Sequence, residues 1–302
     1  MTSLYNLFSF FTLLQKPDSD SPIYTIVYGI IVIVGVVLVT YTVGLFIYKV
    51  FHVIEMAYVE LISKRLFVNH LYVFPKRLED SQKNILSEKF KFYNNLSPKH
   101  QKYFEYRVNN FLKKTEFHGR DIEISEEIQI ILAGTATKLL FGLRDYNIGT
   151  IEKVVVYAKA FFSRTNKAYH KGEFNYAQAS IVFSWIDVVE GYAIDNDNAN
   201  LAVHEFVHAI HFHYKSVRHK STSAAIFLDA FAELTELYEG DKIEGLKIKS
   251  AGYFREYAFV NEYEFLAVII ECFIETPSEF RAQFPEMYKK VKTMLNYNFV
   301  GY

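Results

Sequence analysis

A single cysteine, Cys272, excludes an internal disulfide framework, and a lone thiol fits a reducing compartment. An excess of either charge is also missing. With 33 Lys and Arg against 34 Asp and Glu, and no basic stripe or zinc-finger spacing, nothing argues for nucleic acid as a partner. From Ile23 to Tyr48 charge is absent altogether. A helix of that length measures about 39 Å, more than the ~30 Å hydrocarbon core of a bilayer, so a single tilted transmembrane helix is expected there. The preceding segment lacks a basic n-region, and no small-x-small site ends the apolar run, which speaks against a cleaved signal peptide.

The charges flanking this run set an orientation. Lys49, Lys64 and Arg65 follow it, whereas only Lys16, beside Asp18 and Asp20, precedes it. The positive-inside bias then predicts the inner (cytoplasmic) membrane, with the C-terminal part in the cytoplasm. The chain divides into a leader at 1–22, the span at 23–48, a juxtamembrane helical linker at 49–75 and a domain at 76–302. Within the domain, 76–148 reads as packing helices with polar joints. Ser97-Pro98 and Ser125-Glu126-Glu127 are helix starts. Two β-rich runs, 154–157 and 180–185, predict a small sheet. The second is either an edge strand able to pair with extended substrate or an ordinary interior strand.

The chemistry concentrates in His204-Glu205-Phe206-Val207-His208, within a stretch from Ala199 to Tyr214 that has neither Gly nor Pro. The cluster Asp195-Asn196-Asp197-Asn198 before it can cap a helix. Residues four apart share a helix face, so His204 and His208 can offer two imidazole nitrogens to one metal ion. Glu205 falls beside them as a general base. These are two of the three protein ligands of a catalytic zinc plus its base.

A third ligand is needed. His211 lies about 10 Å along an unbroken helix from His204, too far for a zinc bond of about 2 Å, and no Gly follows His208 to bend the chain back. His213 and His219 likewise read as polar pocket or surface residues. Downstream, 262–276 forms a second helical run in which Glu264, Glu271 and Glu275 share a stripe. Such carboxylates on a greasy helix call for a cationic partner. From the residues alone Glu264 and Glu271 are equal candidates.

The combination of H-E-F-x-H, then Tyr257 seven positions before Glu264 in E-F-x-A-V-x-x-E-x-F, then Pro277, resembles the Mlc titration factor A (MtfA) family of zinc metallopeptidases, whose core is similar to that of anthrax lethal factor. The likeness runs from about 72 to 295, through the segments at 111–119, 125–143, 155–161 and 181–185. It implies an α+β fold, in which the transmembrane helix precedes a mainly helical, zincin-like (gluzincin) metallopeptidase domain with a small β-sheet. It further implies one Zn2+ held by His204, His208 and Glu264, with Glu205 as base. Tyr257 would donate to the developing oxyanion, and Glu271 would orient a ligand histidine. The implied partner is a peptide or protein substrate. Soluble relatives are associated with sequestering a transcriptional repressor, so the alternative is a regulatory binding protein for which a transcriptional regulator is the partner.

Overall fold

The structure, a computed structural model, describes residues 22–72, 75–163, 167–194, 196–240 and 242–298. The leader expected at 1–22, Pro22 apart, lies outside the described residues, as does Asp195. The uncharged stretch forms a helix, α1 (Pro22–Leu61), that continues without a break into the segment expected to be a linker. Over the uncharged stretch its side chains are apolar on every face and mostly exposed, Ile33 by 64 % and Val39 by 63 %. Thr40 and Thr42 donate their hydroxyls back to the carbonyls of Val36 and Val39 at 2.8 and 2.9 Å, so both are satisfied within the helix. Length and composition allow this helix to span a membrane.

The chain divides between Glu55 and Met56 into two units. The second takes in the end of α1 and continues with α2 (Asp80–Lys89), α3 (Lys91–Asn95) and α4 (Pro98–Lys114). Ser97 caps α4 by accepting from the His100 N–H, and Pro98 fills its first turn, where no backbone donor is needed. Between α4 and α5 (Glu126–Leu139) stands a strand, β1 (Glu116–Arg120), where a polar joint was expected. The strand was not legible because it lies at a sheet edge with only Phe117 half-buried, so its sequence shows no alternation. Ser125 caps α5 through the Ile128 N–H.

Five further strands follow: β2 (Lys153–Tyr157), β3 (Phe161–Ser163), β4 (Ala168–His170), β5 (Gly172–Asn175) and β6 (Ser180–Ser184). The main sheet runs β1-β2-β6-β5, its first three strands parallel and β5 antiparallel at the edge; β3 and β4 form a separate hairpin. Val154 pairs with Ile181 and Val156 with Phe183, and all four are buried. β6 is therefore an interior strand, and the free edge beside it belongs to β5.

The remaining helices are α6 (Trp185–Ala193), α7 (Leu201–Val217), α8 (Thr222–Thr235), α9 (Lys242–Ser250), α10 (Glu262–Glu275), α11 (Pro277–Gln283) and α12 (Pro285–Met294). α10 is the core helix, buried at every position from Phe265 to Ile274. Each large apolar side chain hidden there contributes about 1.5–3 kcal/mol. α7 packs on α10, α5 and α8 and also on β5 and β6. The helix bearing His204 and His208 is thus wedged between sheet and core. The architecture is α+β, mostly helical with a small sheet.

Candidate metal centre

The cap of α7 is Asn200, whose side chain accepts from the Val203 N–H, while its amide donates to the Gly191 carbonyl at 3.1 Å. The helix therefore starts just beyond the 195–198 cluster. One turn in, His204 and His208 turn to the same side, with Nε2 atoms 3.1 Å apart. Across from them, on the first turn of α10, Glu264 places Oε2 2.9 Å from His204 Nε2 and 3.5 Å from His208 Nε2. Asn261 caps this turn by accepting from the N–H groups of Tyr263 and Glu264 at 2.9 and 3.0 Å, which fixes where Glu264 leaves the helix.

Two nitrogens and one carboxylate oxygen thus converge from two rigid helices. Ligands about 2.05 Å from a tetrahedral zinc lie about 3.3 Å from one another. The separations of 2.9, 3.1 and 3.5 Å straddle that edge length, and all three ligand atoms could hold one ion. The donor set fits a metal.

Glu271, two turns farther along α10, is buried and sits on the other ring nitrogen: His204 Nδ1 donates to its Oε1 at 2.7 Å. The two carboxylates that spacing alone left equal are therefore separated by geometry, Glu264 facing the convergent nitrogens and Glu271 the opposite side of the ring. Arg255 also donates to Glu271 Oε1, at 2.7 Å, balancing the buried charge. Burial by itself would lower the His204 imidazolium, but the hydrogen bonds to Glu264 and Glu271 prevail and hold it up at about 10. Burial likewise works to raise Glu264, yet His204 and His208 keep its carboxyl far below the usual carboxylate range. The cluster is built to place positive charge beside Glu264.

Glu205 is buried beside the two histidines, and burial pushes its carboxyl above the ordinary value, with His208 and His204 opposing. Its neighbour is Gly172, at the start of β5. A Cβ there would lie 2.5 Å from Glu205 Cγ, so only glycine lets the edge strand pass this close. A cleft of about 470 Å³ opens over His204, Glu205, Arg255 and Tyr257. The Tyr257 ring stands 5.9 Å from that of His204, half-exposed, its hydroxyl pushed up to about 12 by burial and then by Glu264. A neutral phenol that keeps its proton is a hydrogen-bond donor.

His211 points elsewhere, buried between Phe231 and Tyr263, and burial holds it down at about 4. His213 is half-buried and His219 is exposed, and neither joins the cluster. Glu275 is also apart from it. Sequence reasoning missed Gly172, Arg255 and Asn261. Only Asn261 left a signal, an Asn directly before a helical run that begins with Glu.

The profile of the glucose-regulated metallo-peptidase M90 family matches residues 69–296. The chain belongs to this family. It is the group that the motif pattern resembled, and the matched region excludes the uncharged part of α1. An uncharacterized protein of the cyanobacterium Synechocystis sp. is 22 % identical over 241 residues, covering 73 % of this chain and 85 % of that protein. Membership in M90 implies a metallopeptidase-like domain and a metal, and the His204–His208–Glu264 cluster could hold one ion.

Proposed function

We propose that this M90 chain is a zinc-dependent peptidase that cleaves peptide bonds in the cleft over α7. The observation that carries the reading is the convergence of His204, His208 and Glu264 with Glu205 alongside. These three side chains would hold the zinc ion, which when bound polarises a scissile carbonyl and acidifies water. Glu205 takes the proton at its carboxylate and returns it to the leaving amine. Its burial beside Gly172 raises its pKa, which strengthens it as a proton acceptor relative to an exposed carboxylate. Tyr257 donates its phenolic proton toward the developing oxyanion. Glu271, held by Arg255, keeps the His204 Nε2 turned inward. An extended peptide would add to the free edge of β5, which passes directly beside Glu205.

In this reading α1 anchors the enzyme in the inner membrane and the domain faces the cytoplasm. Support comes from the uncharged run at 23–48 and from Lys49, Lys64 and Arg65 following it. A periplasm-only reporter fused to the C-terminus should be silent; activity there would reverse the orientation. The test of the chemistry is zinc per full-length chain in detergent, measured by elemental mass spectrometry beside a Glu264→Ala variant. About one zinc in the parent and little in the variant is expected. A parent free of zinc after purification without chelator would overturn the assignment.

A further inference from the structure

A second cavity, of about 410 Å³, shares Gly191 with the cleft over Glu205 but opens elsewhere, among α2, α3, α5, α6 and the ends of α7 and α10. The exposed Glu88, Lys89, Lys91 and Asn95 line its outer part. Lys138, Tyr192, Asn200 and Glu275, buried or half-buried, bring polar groups to it, and Phe90 and Phe92 give it a buried apolar wall. None of the four polar residues belongs to the cluster of His204, His208 and Glu264.

Two opposite charges meet here without pairing. The Lys138 ammonium has the face of Phe92 at 5.9 Å and, among the described residues, no carboxylate within ion-pair distance. Glu275 has one carboxylate oxygen, Oε2, buried with no hydrogen-bond partner. Burial pushes the Lys138 ammonium down to about 8, with Glu275 opposing, and raises the Glu275 carboxyl to about 7 against a hydrogen bond from the Asn200 side chain. Each group thus bears a desolvation cost that the other does not relieve by contact.

Ligand classes can be sorted by these charges. An inorganic anion would satisfy Lys138 and be repelled by Glu275, and a metal cation would meet the reverse. A purely apolar molecule would leave both groups bare. A molecule with a carboxylate at one end and an ammonium at the other answers both, and an apolar side chain on it would find the Phe90–Phe92 wall. The volume is in the range of small-ligand sites. We propose that this cavity binds a small zwitterion, a free amino acid or dipeptide, with its carboxylate on Lys138 and its ammonium on Glu275. Peptidases release molecules of this class; that link alone, and not the binding site, rests on the proposed function.

The test is isothermal titration calorimetry on the full-length chain in detergent, in a Glu205→Gln background so that the probe is not consumed. The probes are alanylalanine, N-acetylalanine, which keeps only the carboxylate, and alaninamide, which keeps only the ammonium. Alanylalanine should bind once per chain, and both truncated probes at least about tenfold more weakly. Lys138→Met and the isosteric Glu275→Gln, each checked for a native near-ultraviolet spectrum, should each weaken alanylalanine by a similar factor, whereas His208→Ala should not. N-acetylalanine binding as tightly as alanylalanine would overturn the zwitterion. Loss of binding in His208→Ala with survival in Glu275→Gln would move the ligand to the metal centre, and no binding of any probe would remove the site.

Discussion

Two of the places that bury charge in the second unit do so in opposite ways. At the α7–α10 crossing, His204, His208, Glu264 and Glu271 crowd together, with three ligand atoms 2.9 to 3.5 Å apart around a common point. Some 100 residues upstream in sequence, Arg107 on α4 is fully buried and, among the described residues, hydrogen-bonds to no carboxylate. Its guanidinium donates to the Tyr72 hydroxyl and to the carbonyls of Asn69, Leu140 and Phe141 at 2.7 to 3.2 Å, and it lies 4.2 Å from the Tyr146 ring centre. Arg107 is saturated by neutral acceptors and an aromatic face, so nothing further is needed there. It fastens residues 69–72 to α4 and to the turn after α5. The candidate metal cluster, by contrast, brings three ligand atoms to one point where an ion could sit. Buried charge met by neutral acceptors serves structure here; convergent charge suits the chemistry proposed for the cleft.

The sharpest way to break this contrast is Glu205→Gln. Removing the proposed base while keeping its shape should cost roughly a hundred- to ten-thousand-fold in hydrolysis of a fluorogenic peptide and leave zinc content and melting temperature near those of the parent. Unchanged turnover would end the distinction, because the site would then be no more chemical than Arg107. The second way is Arg107→Met. The buried Leu140 and Phe141 carbonyls and the part-buried Asn69 carbonyl and Tyr72 hydroxyl lose their donor. Each stranded buried group costs about 1–3 kcal/mol, partly offset by removal of the buried charge, so chemical denaturation should report a loss of about 2–5 kcal/mol. Zinc per folded chain should stay the same. Zinc lost in step with stability would mean that the two regions are not separable.

How much of this could be read from the sequence follows the same divide. His204, Glu205 and His208 were legible because one turn of helix carries all three, and a local period survives in the sequence. Glu264 was visible as a carboxylate on a greasy stripe, but its difference from Glu271 was not. Whether each faces Nε2 or Nδ1 of His204 is decided by how α10 crosses α7, a tertiary fact. Arg107 was silent, since its partners arrive from 35 to 38 residues before and from 33 to 39 residues after it. Gly172 was silent too, because its reason is the approach of β5 to Glu205. The helix starts at Ser97 and Ser125 were legible as local capping chemistry, whereas β1 and the interior place of β6 depend on pairing with β2.

A third substitution sharpens the contrast from inside the metal cluster. Glu271→Gln keeps an acceptor for His204 Nδ1 but removes the charge shared with Arg255. Competition with a chelator should show zinc held about 10- to 100-fold more weakly, with stability changed less than in Arg107→Met. Equal zinc affinity would make Glu271 a packing residue of the same kind as Arg107.

The smallest effect belongs to charges that solvent already serves. Glu233 on α8 lies between Lys64 and Lys290, the latter at 3.0 Å, and is nearly half-exposed. Burial acts to raise its carboxyl, but the hydrogen bonds from Lys64 and Lys290 outweigh it and set the group below its ordinary value. With the folded value depressed, its contribution is complete above the unfolded carboxylate range near pH 4.5 and disappears as pH falls through the folded value. Surface pairs of this kind contribute about 0–1 kcal/mol. Glu233→Gln should therefore lower the melting temperature slightly at pH 7 and not at all at strongly acid pH, with the difference shrinking in high salt. A loss as large as that from Arg107→Met, or one that persists in acid, would show that exposure does not weaken a charge in this fold, and the ordering of the three regions by solvent access would fail.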